Sequence, residues 1–215
     1  MTMIVGIHLG DYVIIAADRR EVFIDGGKVS SVISDEVDKF VKWNGGIITG
    51  CGYVPLLSEL KKHLKHTEIT STNQIVALTK RVVSDLPINA SIWRQQTHWM
   101  FSYISGSEVG PQCRLGYIRS EVPDEIHLLY TMRATIWAKL PDIEQRIDTL
   151  NAALKPLSRT YDFEENVAYH LGLLKELFLY ASTVDETVSK DFNYYIQAYN
   201  GDERLSSQAH GRVTG

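Results

Sequence analysis

The sequence TMIVGIHLGDYVIIAAD, which runs from Thr2 to Asp18, decides how the rest of the chain is arranged. It holds two apolar runs, Met3–His8 and Tyr12–Ala17, separated by the turn residues Leu-Gly-Asp at 9–11. Two apolar runs joined by a short turn predict a β-hairpin. Because both runs are apolar along their length, we expect a central, buried hairpin. A buried first strand would hold Thr2 in one place, as a frayed chain end would not.

The residue at the start of this hairpin has the chemistry of a nucleophile. Only Met1 precedes Thr2, and because the threonine side chain is small we expect methionine aminopeptidase to remove Met1. The new α-amino group, with an unperturbed pKa of about 8, can act as the base that activates the threonine hydroxyl. Such a site also needs a cation that tunes these groups, an anion that holds the cation, and an N–H donor for an oxyanion.

The composition narrows the class of protein. The chain has 215 residues, 44% hydrophobic and 22% charged, which suits one domain with one sizeable core. A formal net charge of -4 gives no argument for nucleic acid or an anionic membrane as partner. Two cysteines in unrelated contexts, Cys51 and Cys113, form neither a disulfide framework nor a metal knuckle. Without a signal-peptide pattern or a long apolar run, we expect a soluble, cytoplasmic protein with no cofactor or metal.

The predicted elements alternate between groups of strands and pairs of helices. After the hairpin we expect an extended loop or short hairpin at 22–34, strands at 40–43 and 47–50, helices at 55–65 and 72–86, strands at 98–105, 114–120 and 126–134, helices at 140–154 and 163–183, and a strand at 193–199. This order predicts an α+β protein, a four-layer αββα sandwich with two mostly antiparallel sheets between helix pairs. We expect one domain over 1–200 and a loose polar tail over 201–215.

Three residues supply the groups that a terminal threonine needs. Asp18 ends the second strand, Lys39 begins a later one, and Gly50 lies at a strand-to-helix turn. A glycine at such a turn lets a substrate carbonyl approach the backbone N–H. Lys28 is a rival for the role of Lys39, because the span from Asp18 to Lys39 is long. Taken separately, Asp18 and Lys39 would more often form a surface salt bridge of little energetic weight.

These residues occur in four ordered blocks: TMIVGI at 2–7, AADRR at 16–20, KF at 39–40 and TG at 49–50. The blocks resemble the proteasome β-subunit pattern, whose bacterial relatives include the HslV-type peptidases and smaller proteasome homologues. The resemblance implies an Ntn-hydrolase fold and a threonine-type endopeptidase. It also implies a homo-oligomer of stacked rings, with the active sites facing an enclosed chamber that admits peptides or unfolded proteins. Whether an ATPase activates it is left open.

The resemblance also assigns roles to individual residues. It makes Thr2 the nucleophile, with its own amine as the base. Lys39 lowers the pKa at Thr2, and Asp18 pairs with Lys39. Arg20 supports the adjoining loop, and the Gly50 N–H stabilises the oxyanion.

Three further positions follow from the same resemblance. Ile48, two residues before Gly50, would face the pocket that selects the side chain before the scissile bond, and it would favour apolar or uncharged residues. Asp185 and Ser189, in the segment DETVS, have the residue types of the family's late D-x-x-S-G motif with one extra residue between them.

Two other functions stay open at this stage. The family's G-S-G turn has no counterpart near 134–138, which favours a catalytically inactive ring subunit or scaffold. An Ntn amidase or transpeptidase acting on a small substrate would use the same nucleophile without a ring. Elsewhere, we interpret Cys51 as a small apolar residue at a helix start. The run KKHLKH at 61–66 is most simply a solvated helix face, although on a ring subunit it could be a contact surface.

Overall fold

The computed structural model describes residues 2–25, 28–85, 96–106, 108, 110–157, 162–199 and 206–215, with backbone only for 206–210. These residues contain twelve strands and four helices. The strands are β1 (Ile4–His8), β2 (Tyr12–Asp18), β3 (Glu21–Asp25), β4 (Lys28–Ser34), β5 (Val41–Trp43), β6 (Gly46–Cys51), β7 (His98–Ser105), β8 (Gln112–Arg119), β9 (Val122–Leu128), β10 (Arg133–Trp137), β11 (Phe192–Tyr199) and β12 (Ser206–Val213). The helices are α1 (Val54–His66), α2 (Thr72–Ser84), α3 (Ile143–Ala153) and α4 (Phe163–Val184).

The strands form three antiparallel sheets, in the orders β10-β1-β2-β11-β12, β3-β4 and β5-β6-β7-β8-β9. The described part of the chain is therefore mostly β, and the expected fold class, a four-layer αββα sandwich with two sheets, is wrong. The difference begins at 21–34, where β3 and β4 pair with each other and join neither large sheet. The side chains of β3 and β4 are largely exposed, so these strands do not pack into the larger sheets.

The hairpin at the start of the chain is central and buried, as its sequence predicts. Every residue of β1 and β2 is buried. β1 pairs with β2 on one side and with β10 on the other, while β2 also pairs with β11. The turn between them uses Gly10 at a φ of 94°, a conformation that glycine adopts without a steric penalty.

Three apolar clusters hold the elements together. The first packs one face of the β1–β2 sheet against α3 and α4, through residues such as Val5 and Phe178. The second packs β6 and β7 against α1 and α2. The third lies between the two five-stranded sheets and includes Ile4 of β1 and Met100 of β7. Val5 and Ile4 enter different clusters because successive side chains of a strand point to opposite faces.

Two segments differ from their predicted structure. The single strand expected at 126–134 is split: β9 ends at Leu128 and pairs with β8, whereas β10 begins at Arg133 and pairs with β1. The tail expected over 201–215 contains β12, which pairs along the whole of β11 and forms a sheet edge. Residues 201–205, and the predicted end of the second helix at Leu86, lie outside the described residues.

The remaining predicted elements agree with the structure within a few residues, including the long helix α4 and the hairpin at 22–34. Among the described residues, no helix has the length and apolar character needed to span a membrane.

Candidate active site

The hairpin brings the two ends of its strands together, and this sets Asp18 beside the start of the chain. Ile4 pairs with Ala17, so the residues just before β1 lie next to the end of β2. The Asp18 N–H donates to the Met3 carbonyl at 3.1 Å, and the Met3 N–H donates to Asp18 Oδ1 at 2.8 Å. The carboxylate of Asp18 is thereby fixed one residue from Thr2.

A buried ion pair lies at this point. Lys39 Nζ donates to Asp18 Oδ1 at 2.7 Å, and the side chains are 8% and 0% exposed. The Arg20 N–H donates to Asp18 Oδ2 at 2.9 Å, so three donors in all satisfy the carboxylate. Burial lowers the pKa of Lys39, and the charge of Asp18 opposes that effect. Lys28, the rival lysine, lies exposed on β4 and does not pair with Asp18.

Gly50 is held close to this pair by the strand that carries it. Thr49 Oγ1, one residue before Gly50, donates to the Lys39 carbonyl at 3.0 Å. A Cβ at Gly50 would lie 2.6 Å from Leu57 Cδ2 and 2.9 Å from the His98 carbonyl oxygen. Real side chains do not approach backbone that closely, so the packing of α1 and β7 around this position requires glycine.

Thr2, Lys39 and Gly50 line one cleft of about 290 Å³. Its other walls are formed by β3 and the residue just before it, by α1, and by Thr187, which follows α4. A second cleft of about 600 Å³ shares Ile24, Gly52 and Thr187 with the first, so the two clefts are adjacent. A half-buried threonine thus faces an open groove with a buried cation beside it.

Arg20 ties three parts of the chain together next to the cleft. Its guanidinium donates to both carboxylate oxygens of Asp35, at 2.7 and 3.0 Å, and to the Glu186 carbonyl at 3.0 Å. The hydrogen bond from Arg20 lowers the pKa of Asp35. Arg20 also lines the Thr2 cleft, so the contact that supports the loop also forms part of the wall.

The two late candidates act at different places. Asp185 Oδ1 accepts from the Thr187 N–H at 2.9 Å and from its hydroxyl at 2.7 Å, and it lines the larger cleft. Ser189 is buried, accepts from the Arg19 N–H at 2.9 Å and donates to the Asp191 carbonyl at 2.7 Å. Ser189 therefore supports the chain beside Asp18, but it does not line the Thr2 cleft.

Ile48 does not face the cleft as the sequence predicts. It is 2% exposed and belongs to the second apolar cluster, where α1 covers it. The gap beside it measures only about 10 Å³. The wall of the Thr2 cleft next to Gly50 is instead made by Leu57 and its neighbours on α1.

Lys61 is a residue of the cleft that the sequence prediction missed. It is half-buried and lines the Thr2 cleft, whereas the segment 61–66 was expected to be a solvated face. Four residues of α1 reach this cleft, at positions 54, 57, 58 and 61. Their spacing of i, i+3, i+4 and i+7 places them on one helix face, beside the buried face at 56, 60 and 64. That spacing is visible in the sequence and could have indicated the residue.

Cys51, the residue after Gly50, does not line the Thr2 cleft. Cys51 is buried, and burial raises the pKa of its thiol to about 12, so the nucleophilic thiolate is scarce at neutral pH. The described part of the chain holds no group of three or more His, Cys, Asp or Glu residues that could bind a metal ion.

Comparison with known proteins supports the architecture. No protein-family model matches this sequence, and no curated protein matches it. Among solved structures, the chain is similar to Anbu, a (Gly-1) mutant from Hyphomicrobium sp. strain MC1, with 16% identity and a TM-score of 0.62. The match covers 100% of this chain and 87% of that chain. At this identity the likeness shows a shared fold alone.

This comparison corrects the resemblance drawn from the four sequence blocks. The solved structure that the chain is similar to is an Anbu protein and not an HslV-type peptidase. The assignment to proteasome β-subunits and HslV-type homologues is therefore wrong. The short blocks around Thr2, Asp18, Lys39 and Gly50 do not discriminate between related families, because they describe the site and leave the rest of the chain untested.

Proposed function

We propose that this chain is an N-terminal-threonine hydrolase of the proteasome-related type, which cleaves peptide bonds through an ester on Thr2 Oγ. The observation that carries the proposal is the buried pair of Lys39 and Asp18, of which Lys39 lines the same cleft as Thr2 and Gly50. A surface salt bridge would contribute little energy, whereas a buried carboxylate that accepts from three donors, one of them Lys39, fixes a charge where the reaction needs one.

The chemistry requires that Met1 be removed, so that the Thr2 amine is free. The amine then takes the proton of the Thr2 hydroxyl, and Oγ attacks the substrate carbonyl carbon. The carbonyl electrons move to oxygen, where the Gly50 N–H stabilises the negative charge. The C–N bond breaks, and the leaving amine takes the proton from Thr2. A water molecule, activated by the same amine, hydrolyses the ester and returns the proton to Oγ.

Peptides are the substrate class that the groove suits. The two adjacent clefts provide room on either side of Ile24 and Gly52 for an extended chain. We also propose a homo-oligomer, arranged as stacked rings, located in the cytoplasm. Support for assembly comes from Phe23, Ile24, Val32 and Ile33, four large apolar side chains that are 49–58% exposed on the β3–β4 sheet. Light scattering after size exclusion would measure the mass of the assembly, and a monomer would contradict it.

The test of the enzyme proposal is the intact mass of the purified protein, before and after incubation with a peptide electrophile that reacts with N-terminal threonine. We expect loss of Met1 and one adduct, with no adduct in Thr2→Ala. Thr2→Ser serves as the matched variant, because it keeps a hydroxyl and should still react.

Two results would contradict the proposal. If Met1 is retained, Thr2 has no free α-amino group to act as the base. If Met1 is removed but Thr2 does not react with the electrophile, a catalytically inactive subunit is favoured. An adduct formed by a small species that cleaves only small amides would instead favour an amidase.

A further inference from the structure

Lys61 is a cation in the Thr2 cleft that the catalytic proposal does not use. It extends from α1 into the same cleft as Thr2, Lys39 and Gly50, and it also borders the small gap beside Gly50 and Leu57. Within the described residues its ammonium has no carboxylate at ion-pair distance, whereas the next lysine, Lys62, lies 3.8 Å from Glu59. A half-buried lysine without a partner is uncommon, because its charge loses hydration and gains nothing in return.

The surroundings leave this charge available to a ligand. Burial lowers the pKa of Lys61, and the positive charges of Lys39 and Lys65 act in the same direction. The negative charges of Asp38 and Glu21 act in the opposite direction. A bound carboxylate would supply the missing partner.

The helix that carries Lys61 adds to the same preference. Val54, in the first turn of α1, lines the cleft, and that turn contains no acidic residue. The N-terminal end of a helix carries a partial positive charge that favours anions. The Lys61 side chain and the first turn of α1 therefore border the same cleft.

We propose that Lys61 makes this cleft selective for peptides with an acidic side chain beside the scissile bond. The inference rests on the proposed function and names its substrate class. It replaces the expectation of an apolar or uncharged residue, which depended on Ile48 facing the cleft. In the complex, Lys61 Nζ donates to the substrate carboxylate, while Thr2 and Gly50 act on the adjoining carbonyl.

The experiment compares three peptides that differ only at the residue before the cleaved bond, with Glu, Gln or Lys there. For the wild-type protein we expect kcat/KM to favour Glu over Gln by about ten- to a hundredfold, the range for a hydrogen bond between charged groups. Lys61→Gln should bring that ratio close to one, Lys61→Arg should keep it, and Lys61→Glu should favour the Lys peptide. Lys62→Gln, a matched change at an exposed neighbour, should leave the wild-type ratio in place.

The two proposals fail in different ways. Equal cleavage of the Glu and Gln peptides, with Thr2 modified in the mass measurement, would overturn the role of Lys61 and leave the hydrolase intact. A preference for Glu that survives in Lys61→Gln would also overturn it. If no peptide is cleaved and Thr2 forms no adduct, the proposed function and this inference fall together.

Discussion

Replacing Asp18 by Asn tests the buried pair most directly, because it removes one charge with little change in shape. The carboxylate accepts from Lys39 at 2.7 Å and from the Met3 and Arg20 N–H groups at 2.8 and 2.9 Å. The amide oxygen of Asn can accept only some of these hydrogen bonds. Its NH₂ group, itself a donor, would then face another donor. Lys39 is left as a buried cation without its anion.

The cost follows from burial. Removing one partner of a buried ion pair destabilises a protein by about 3–5 kcal/mol, and because Asn keeps one acceptor we expect about 3 kcal/mol. The loss should also depend on pH. Without Asp18, burial lowers the pKa of Lys39 further below its unfolded value of 10.5. At pH values between the folded and the unfolded pKa of Lys39, the unfolded chain binds more protons than the folded chain. The free energy of unfolding of the variant therefore rises with pH over this range.

Urea unfolding at pH 7 and pH 9.5 measures both effects, together with the rate of adduct formation at Thr2. The matched control is Asp35→Asn, which breaks the pair with Arg20 at a side chain that is 45% exposed, and which should cost no more than about 1 kcal/mol. Adding Lys39→Met to Asp18→Asn should recover stability but not reactivity, because an apolar side chain tolerates burial. A loss below about 0.5 kcal/mol in Asp18→Asn, with wild-type labelling of Thr2, would refute the reasoning.

Two further predictions concern packing and pH. Gly50→Ala should lower the free energy of unfolding by about 1–3 kcal/mol and abolish labelling of Thr2, because the new Cβ would lie 2.9 Å from a backbone oxygen. Gly106→Ala, which has open space around it, should change neither stability nor labelling. Equal effects in the two variants would contradict this prediction. Burial lowers the pKa of His8 and His170 in the folded protein, so the unfolded chain binds more protons as the pH falls below the ordinary histidine pKa of 6.5. Stability should therefore fall as the pH drops through 6.5, by up to about 1.4 kcal/mol per pH unit for each histidine. Urea unfolding midpoints at pH 7.5 and 5.5 measure this dependence of stability on pH. His170→Gln should make the dependence weaker, whereas His66→Gln, at an exposed position, should not. An unchanged pH dependence in His170→Gln would contradict the prediction.

The parts of the fold that the sequence predicts well are those decided by local patterns. The buried hairpin β1–β2 and the long helix α4 are examples, because period and turn residues alone specify them. The segment 126–134 shows the limit. Its continuous strand pattern gives no sign that one half pairs with β8 and the other with β1, since pairing partners are distant in sequence.

The site divides in the same way. Residue types and order indicate Thr2, Asp18 and Gly50, but the choice between Lys28 and Lys39 needs the path of the chain. The β3–β4 hairpin carries Lys28 outward and returns the backbone so that Lys39 reaches Asp18. Ile48 was misassigned because the face of a strand that a helix covers depends on where that helix packs.

The residues that follow Asp18 explain why the carboxylate can serve as a fixed reference point for Thr2. Arg19 donates to Ser189, Asn193 and Glu36, and Glu36 also pairs with Arg212 of β12. Arg20 holds Asp35 and the Glu186 carbonyl. The two arginines thus anchor the end of β2 to the segment that follows β4 and to the chain around β11.

A charge placed by so many contacts from distant elements needs little reorganisation when the reaction begins, which is the condition for electrostatic catalysis. Among the described residues, the hydrogen bonds next to Thr2 are made by Met3 and not by the Thr2 hydroxyl. The position of the hydroxyl depends on the Met3 backbone, and Asp18 holds both the N–H and the carbonyl of Met3 by hydrogen bonds. Loss of Asp18 should therefore impair the nucleophile even where Lys39 is replaced by an apolar residue, because the geometry and the charge share one carboxylate.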